Sequence, residues 1–327
     1  MSPRDGPYRC VLVTGASGYI GRQVIEALAR DRRDLTTIVA SDVRMPAEPD
    51  RSAGIKYVAA DIRSADLTDV FRRDAVDLVV HLAAVVTPGR KPNPALEYEV
   101  DVLGTQNVLN ACLAAGVRKL IYTSSGAAYG YHADNPASLD ESHALHGNPE
   151  FAYSDHKRLV EEMLARWRAE HPALLQLVFR PGTILGAHAN NQITALFDKR
   201  YVLGVSGTSS PFVFIWDQDV VGAIVRGIHD GGTGVFNVAG DGTLTLREIA
   251  AILHKPYVAL PAGVVTAALW LLKKLGLTQY GPEQVNFLRY RPVLSNRRLK
   301  EEFGYVPQKT TREVFEYFLQ ARNRPVF

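Results

Sequence analysis

Short apolar runs alternate with segments of helical periodicity over the first 180 residues of the chain. Six of these runs predict β-strands, over residues 9–14, 35–40, 55–60, 77–82, 119–123 and 174–179. Between the runs, apolar residues such as Ile20, Val24 and Leu28 recur at the three- and four-residue spacing of a helix. Strands this apolar, separated by helices, are typical of a parallel sheet that is covered on both faces. The pattern predicts a Rossmann-type α/β fold with a doubly wound parallel sheet.

The pattern changes after Arg180, where shorter apolar runs alternate with helices of mixed length. Two further strands are predicted, over residues 212–215 and 235–237. Two helix starts carry capping boxes, Thr245 with Glu248 and Thr310 with Glu313.

This change predicts two domains. The first is a nucleotide-binding Rossmann domain over residues 1–180, and the second is a smaller mixed α/β substrate-binding domain over 181–327. Segments such as 211–240 are candidates to return to the first domain. The cleft between two such domains is the expected ligand site.

One apolar stretch, residues 256–272, carries no charge and is followed by Lys273 and Lys274. It falls short of the roughly 20 residues that a transmembrane helix needs, and a proline and a glycine interrupt it. We therefore expect no integral membrane segment and a largely buried helix over 263–275, with a peripheral membrane contact as the alternative.

The composition of the chain limits the kinds of binding partner that we expect. Lys and Arg number 37 and Asp and Glu 34, without the clustered basic face that a nucleic-acid-binding protein needs. Cys10 and Cys112 lie in no CxxC pattern, so they are expected to be buried core residues in a reducing compartment. The polar N-terminus lacks an apolar signal segment. We expect a cytoplasmic protein with a small-molecule substrate and no nucleic-acid partner.

The first predicted strand ends in the sequence TGASGYIG, which also opens the first helix. In this context Gly15 permits a tight turn, Gly18 lets the backbone approach a pyrophosphate, and Gly21 lets the helix pack on the strand. Backbone N–H groups and the helix N-terminus then hold the anion. The turn supplies the predicted cofactor contacts Gly15, Ser17, Gly18, Tyr19, Ile20 and Gly21.

Asp42 ends the second strand, about 20 residues after the glycine turn, where a carboxylate takes the ribose hydroxyls of NAD. Arg44 can partner a 2′-phosphate, so NADP is not excluded. The third strand ends in Asp61–Ile62 and the fourth in HLAA, at the carboxyl ends where ligands lie. The further cofactor contacts predicted here are Asp61, Ile62, Leu82, Ala83 and Ala84. His81 is expected to be a buried histidine with satisfied hydrogen bonds.

Tyr153 and Lys157 are four residues apart at the start of a predicted helix and therefore share one face. A free phenol has a pKa near 10, and a nearby ammonium is expected to lower the pKa of Tyr153. Tyr153 can then exchange a proton with a substrate hydroxyl while hydride moves to or from a nicotinamide. Lys157 would also hold the nicotinamide ribose. Ser125 closes the fifth strand and is expected to donate to the substrate oxygen, with Ser124 as the alternative.

The motifs TGxxGxxG, HLAA, VDVLGT, SSGAAYG, YSDHK and RPGTILG occur in the order typical of the NAD-dependent epimerase/dehydratase family. The chain resembles this extended branch of the short-chain dehydrogenases from about residue 9 to about residue 320. The resemblance implies bound NAD, a Ser125–Tyr153–Lys157 centre and Pro181 as a further cofactor contact. It also implies a homodimer formed through the helices after Pro94 and after Tyr153.

Departures from the family pattern narrow the range of reactions and substrates that we expect. Dehydratases carry Asp-Glu where Gly126–Ala127 follow Ser125, so the acid and base for a 4,6-dehydration are missing. Nucleotide-sugar members carry an asparagine in place of Thr183 and an arginine near Phe212, both of which bind the diphosphate. The candidate replacements are Arg200, Arg289 and Arg291, and Asp101 replaces a usual asparagine. The expected substrate contacts are Val86, Thr87, Ser124, Gly126, Thr183 and Phe212.

The loop over residues 131–150 is expected to lie over the cleft. It contains His132, His143 and His146, which suggest a metal site or simply a polar loop. No ligand quartet is apparent, so we expect no metal.

Three functions remain open. The first, which we favour, is a sugar or nucleotide-sugar epimerase that works through a transient ketone. The second is a net dehydrogenase or reductase of an apolar, steroid- or flavonol-like alcohol, favoured by the apolar residues around Trp270. The third is a non-catalytic NAD-binding protein, against which the complete Ser-Tyr-Lys set argues.

Overall fold

The computed structural model describes residues 7–86, 93–209, 211–278, 281–282 and 284–322. The central sheet contains β1 (Cys10–Thr14), β2 (Thr37–Asp42), β3 (Lys56–Ala59), β4 (Leu78–His81), β5 (Lys119–Thr123), β6 (Leu175–Pro181) and β10 (Gly234–Val238). Its strand order is β10-β6-β5-β4-β1-β2-β3, and all neighbours pair in parallel. The chain changes its winding direction between β1 and β4, which is where such a sheet opens a ligand crevice. The predicted fold class is confirmed.

Two helical layers cover the sheet. One contains α1 (Tyr19–Arg30) and α7 (Asp217–His229); the other contains α2 (Leu67–Arg73), α4 (Thr105–Ala115) and α5 (Ala152–Glu170), with α3 (Pro94–Tyr98) ahead of α4. In β1, Val11 and Val13 pack into the first layer while Cys10 and Leu12 pack into the second. Because side chains alternate across a strand, burial of both faces requires the continuous apolar runs seen in the sequence.

The C-terminal part is built from short elements. The strands β7 (Thr183–Leu185) and β9 (Phe214–Trp216) pair with each other, as do β8 (Val202–Val205) and β11 (Tyr257–Leu260). The helices are α6 (Gln192–Phe197), α8 (Leu246–Ile252), α9 (Ala262–Lys274), α10 (Gln284–Arg289), α11 (Arg297–Glu301) and α12 (Thr311–Arg322). Both predicted capping boxes are present, at Thr245 and at Thr310.

The chain returns to the central sheet after this part has begun. The helix α7 packs on α1, and β10 forms an edge of the sheet beside β6. Residues 217–238 therefore complete the sheet and its helical layer. The division into two domains at residues 180 and 181 stays a prediction.

The expected burial of the helix over 263–275 is wrong. Within α9 only Val265 is buried, whereas Trp270 is 55% exposed and Leu271 50% exposed. The pattern showed that this segment is apolar, but it could not show that the apolar side chains face away from the protein. Among the described residues, no helix is both long and apolar enough to cross a membrane.

Candidate active site

The glycine turn forms a close backbone cradle after β1. Gly15 has a φ of +67°, and a Cβ placed on it would lie 2.7 Å from the backbone nitrogen of Ala83. A Cβ on Gly21 would lie 2.1 Å from the carbonyl oxygen of Gly15, so α1 packs directly on the turn. Any larger residue at either position would displace backbone, which explains why both are glycine. The turn leaves the N-terminus of α1 open for an anion.

Asp42 lies at the end of β2 and faces the glycine turn. Its carboxylate accepts hydrogen bonds from the backbone N–H groups of Ser17 at 3.0 Å and of Arg44 at 3.1 Å. The hydroxyl of Ser17 donates to the carbonyl oxygen of Arg44 at 2.6 Å. These bonds fix the carboxylate beside the turn, in the position where a dinucleotide presents its ribose hydroxyls.

The ends of β3 and β4 complete this side of the cleft. Asp61 forms an ion pair of 2.7 Å with Arg63, and Ile62 is buried beside it. Leu82 and Ala84 line the cavity that begins at the glycine turn, while Ala83 packs against Gly15.

His81 is held inside the protein between β1 and α4. One ring nitrogen lies 2.7 Å from the hydroxyl of Thr14 and the other 2.9 Å from that of Thr105. Burial lowers the pKa of His81 to about 3, so the ring is neutral at physiological pH. Its bonds connect two layers of the fold.

Ser125, Tyr153 and Lys157 line one cavity of about 550 Å³, together with the glycine turn. Ser125 follows β5 and caps a short 3₁₀ helix, Gly126–Tyr129, by accepting from the N–H of Ala127 at 3.1 Å. Tyr153 and Lys157 lie one turn apart at the start of α5. The hydroxyl of Ser125 is near enough to the phenol of Tyr153 to act on the pKa of Tyr153. The predicted centre is therefore assembled in space at the carboxyl end of the sheet.

The ammonium of Lys157 is bound by β5. Its Nζ donates to the hydroxyl of Tyr122 and to the carbonyl oxygen of Thr123, both at 2.9 Å. The same Nζ lies 5.8 Å from the centre of the Tyr153 ring. Burial lowers the pKa of Lys157 to about 8, against the opposing charges of Asp101 and Glu161.

The pKa of Tyr153 moves in the opposite direction from the sequence-based expectation. Burial raises the pKa of Tyr153 to about 12, although the Ser125 hydroxyl acts to lower it. The expected lowering is wrong, because desolvation of the buried phenol outweighs the lowering effect of Ser125. Tyr153 is therefore a protonated phenol at neutral pH.

Asp101 connects the end of β4 to α5. One carboxylate oxygen accepts from the N–H of Val85 at 2.7 Å, and the other lies 3.0 Å from Nδ1 of His156. Asp101 lies in a π-helical turn, Glu99–Gly104, of the kind that is frequent at functional sites. The carboxylate that replaces the family's asparagine thus holds the loop after β4 and the first turns of α5 together.

The hydroxyl of Ser124 is hydrogen-bonded to a buried ion pair. It donates to Glu161 at 2.5 Å, and Glu161 in turn pairs with Arg180 at 2.6 Å. Arg180 also donates to the hydroxyl of Tyr129 at 2.7 Å. This network fixes the ends of β5 and β6 behind Ser125. It leaves Ser125 as the serine whose side chain reaches Tyr153.

The substrate side of the cavity is built by part of the predicted loop over 131–150, by the predicted Arg291 and by residues that the sequence did not single out. The described residues that line it there include Tyr131, Phe151, Ile184, His188, Val213, Phe287, Arg291 and Leu294. They come from four separate stretches of the chain and share no motif. Besides Tyr131 and Arg291, the position of Ile184 and Val213 near the predicted strands could have suggested two more. No described residue lining the cavity is an Asp or a Glu.

Arg291 is the predicted arginine that reaches the cavity. Its Nη2 donates to the hydroxyl of Thr183 at 3.1 Å, and its guanidinium lies 4.0 Å from the ring centre of Phe212 and 4.4 Å from that of Phe287. Its Nη1 is buried without a hydrogen-bond partner among the described residues. Burial lowers the pKa of Arg291 to about 10, so it remains charged at neutral pH.

Only some of the other predicted substrate contacts line the cavity. Val86, Gly126 and Thr183 line the cavity, and Pro181 lines it on the cofactor side. Phe212 is fully buried and supports Arg291. Thr87 lies outside the described residues. Of the other arginines considered, Arg200 is exposed and Arg289 packs on Tyr290.

The histidines of the loop over 131–150 have local partners. His143 lies 2.9 Å from a carboxylate oxygen of Asp140, and His132 lies 2.6 Å from the carbonyl oxygen of Gly147. Within the described part of the chain, no three potential metal ligands of the His, Cys, Asp or Glu type cluster together. Tyr131 is the described residue of this loop that lines the cavity.

The chain is similar in sequence and in fold to known proteins. A model of the NAD dependent epimerase/dehydratase family matches residues 11–239. The chain is 29% identical to a UDP-glucose 4-epimerase of Mycolicibacterium smegmatis, over 91% of this chain and 93% of that protein. It is 25% identical to 3beta-hydroxysteroid-dehydrogenase/decarboxylase isoform 1 of Arabidopsis thaliana, over 97% and 82% of the two chains. The fold matches a solved UDP-glucose 4-epimerase of Thermus thermophilus in complex with NAD, with a TM-score of 0.70 at 22% identity over 95% and 99% of the chains.

Proposed function

The chain belongs to the NAD-dependent epimerase/dehydratase family, and from that premise we propose that it epimerises a nucleotide sugar. NAD is the cofactor of the family. The observation that carries the proposal is a charged Arg291 in a cavity that also contains Ser125, Tyr153 and Lys157.

The residues around the glycine turn fit a dinucleotide. The backbone cradle at Gly15 and Gly21 has no room for a side chain, and Asp42 is fixed beside it. We infer that the turn holds the pyrophosphate, Asp42 the adenine-side ribose and Lys157 the nicotinamide ribose. When bound, NAD supplies a ring that accepts a hydride and can return it.

The remaining chemistry belongs to Tyr153 and Ser125. The Ser125 hydroxyl orients the substrate oxygen. The phenolate form of Tyr153, which becomes more populated as pH rises, takes the proton of the substrate hydroxyl as the carbinol becomes a ketone. The same proton returns when the carbinol is restored on the opposite face. No net oxidation follows, and no proton is consumed.

Arg291 supports a diphosphate-bearing substrate. A guanidinium stacked between two aromatic rings is held rigidly, with one nitrogen on Thr183 and Nη1 unpartnered. Arg binds phosphate oxygens in a fork geometry through charge-assisted hydrogen bonds. Because no carboxylate lines the described cavity wall, a diphosphate would meet no repulsion there.

We also propose that the chain does not catalyse a 4,6-dehydration. That reaction needs an acid and a base next to the active-site hydroxyl residue. Gly126 and Ala127 occupy those positions and line the cavity without a titratable group. The absence of Asp and Glu from the described lining residues supports the same conclusion.

A net dehydrogenase of an apolar alcohol is the second candidate. The cavity wall includes the apolar side chains of Ile184, Ile193 and Val213. A curated relative at 25% identity is named as a 3β-hydroxysteroid dehydrogenase/decarboxylase. These observations favour a less polar substrate, but they leave the buried guanidinium of Arg291 without a role.

We propose that the protein is a homodimer formed through α3, α4 and α5. The helix α3, the π-helical turn after it and α4 expose large apolar side chains, namely Leu96, Tyr98, Leu103 and Leu113. Leu96 and Leu103 therefore face outward. Burial of these side chains against a second copy would remove them from water.

The proposed function is tested by incubating the NAD-loaded protein with a panel of sugar nucleotides and following the sugar signals by NMR. An epimerase converts one of them into its epimer while absorbance at 340 nm stays constant. A dehydrogenase acting on a sterol-like alcohol instead produces NADH in proportion to substrate. Conversion of neither class would contradict both candidates and favour the non-catalytic alternative.

A further inference from the structure

The helix α9 presents its apolar side chains to solvent. Val264, Ala267, Ala268, Leu271, Leu272 and Leu275 recur at the spacing of one helical stripe, and all of them are exposed. Leu275 is 61% exposed, and Leu277 directly after it is 71% exposed. In a helix of a globular protein this stripe normally faces the core, whereas here the neighbouring face that carries Val265 packs on the protein. We name this exposed stripe the α9 stripe.

The charged residues of α9 itself are both lysines. The segment over residues 256–278 contains Lys273 and Lys274 and no Asp or Glu. Lys274 lies with its Nζ 5.0 Å from the centre of the exposed Trp270 ring. An apolar face bordered by a tryptophan and lysines is the pattern of a helix that lies at the surface of an anionic membrane.

We propose that α9 binds peripherally to anionic phospholipid bilayers, with the α9 stripe inserted among the acyl chains and Lys274 among the headgroups. The helix has 13 residues, so it is too short to span a bilayer and lies in its surface. The exposed apolar stripe supplies hydrophobic affinity, and the cationic end supplies attraction to anionic headgroups.

A second copy of the chain fits the α9 stripe less well than a membrane does. The segment 256–278 contains no Asp or Glu, so a second copy of it would offer Lys274 no opposite charge. A candidate surface for a second copy already exists on α3 and α4, on the described residues named above. An anionic bilayer offers both an apolar interior and the opposite charge.

The position of α9 connects the membrane contact to the cavity. The helix α10 contacts α9, and Phe287 of α10 lines the substrate side of the cavity. Membrane binding through α9 would therefore place that side of the cavity near the bilayer surface. The proposal itself rests on α9 alone and does not require the proposed function.

The test is co-flotation of the purified full-length protein with vesicles. Vesicles of phosphatidylcholine with phosphatidylglycerol are compared with vesicles of phosphatidylcholine only. The wild type is expected to float with the anionic vesicles and to bind the neutral ones far more weakly. Leu271→Gln/Leu275→Gln is expected to reduce binding to anionic vesicles at least tenfold, because it removes apolar area from the α9 stripe.

Charge is tested by Lys274→Glu against a matched control. Lys274→Glu is expected to weaken anionic binding at least fivefold, the effect of about 1 kcal/mol for one cation at such a surface. Arg30→Glu, which makes the same charge change at an exposed position on α1, is expected to bind like the wild type. Thermal unfolding of each variant checks that the fold is retained.

Three outcomes would overturn the proposal. The first is a wild type that does not float with anionic vesicles. The second is an equal loss of binding in Lys274→Glu and Arg30→Glu, which would show a general charge effect. The third is an oligomer that dissociates in Leu271→Gln/Leu275→Gln without any vesicles, which would identify a second copy as the occupant of the α9 stripe.

Discussion

Lys157 donates a hydrogen bond of 2.9 Å to the hydroxyl of Tyr122. The ammonium is thereby attached to the central sheet, one turn along α5 from the phenol that it is expected to assist. Burial sets the pKa of Lys157 to about 8 and that of Tyr153 to about 12. Near neutral pH the site therefore contains an ammonium and a protonated phenol, and proton removal from the substrate should become easier as pH rises.

The substitution Asp101→Asn should move the rising limb of the pH profile to lower pH. The negative charge of Asp101 raises the pKa of both Tyr153 and Lys157, so its removal lowers both values. The asparagine oxygen can still accept from the N–H of Val85. The measurement is kcat against pH between about 6 and 10 for the oxidative half-reaction.

The control for this shift is Glu99→Gln, which removes an exposed carboxylate from the same helical turn. It should leave the profile of the wild type in place. A profile of Asp101→Asn that moves to higher pH, or that coincides with the control, would show that Asp101 does not set these pKa values.

Arg291→Met should raise KM for a sugar nucleotide by about 10- to 100-fold with a small change in kcat. A charge-assisted hydrogen bond contributes about 1.5–3 kcal/mol, and the diphosphate lies away from the reacting carbon. Arg289→Met, which removes an arginine that packs on Tyr290, is the matched control. An unchanged KM in Arg291→Met would argue against a diphosphate in this cavity and for the apolar candidate.

Arg180→Met should lower the free energy of unfolding by about 3–5 kcal/mol, because it leaves the buried Glu161 carboxylate without its partner. Urea unfolding followed by circular dichroism measures the change. Arg297→Met breaks the exposed pair with Glu301 and should cost under about 1 kcal/mol. Equal losses in the two variants would mean that the buried network does not stabilise the ends of β5 and β6.

Asp42→Ala should weaken NAD binding about tenfold or more and bring the affinities for NAD and NADP closer together. The carboxylate is fixed beside the glycine turn, where it can accept from ribose hydroxyls and repel a 2′-phosphate. Isothermal titration with each dinucleotide measures both affinities. Asp34→Ala, at an exposed position before β2, should bind both like the wild type. An unchanged preference in Asp42→Ala would remove Asp42 from cofactor selection.

The features that could be predicted from the sequence depend on interactions between residues that are close along the chain. The glycine turn depends on the few residues between β1 and α1, and Tyr153 and Lys157 share a face because they are one helical turn apart. The position of Ser125 could be predicted because it lies just after the end of β5. Each of these features is decided within a short stretch of chain, so its residues carry the full signal.

Features that depend on contacts between distant parts of the chain could not be predicted from the sequence. Arg291 meets Thr183 across 108 positions of the chain, and nothing in the sequence selects it over Arg200 or Arg289. The direction of the pKa shift of Tyr153 depends on burial that only the assembled cavity produces. The apolar periodicity of α9 is equally compatible with a buried helix, which is why its exposure had to be seen.

The most direct test of the central claim compares turnover by the wild type and by Tyr153→Phe. Both NAD-loaded proteins are given the sugar nucleotide of the panel that the wild type converts, and the epimer is measured by NMR. We predict that Tyr153→Phe lowers kcat by about 10²–10⁴-fold while its affinity for NAD stays that of the wild type. Full activity of Tyr153→Phe would contradict the claim that this phenol carries the substrate proton.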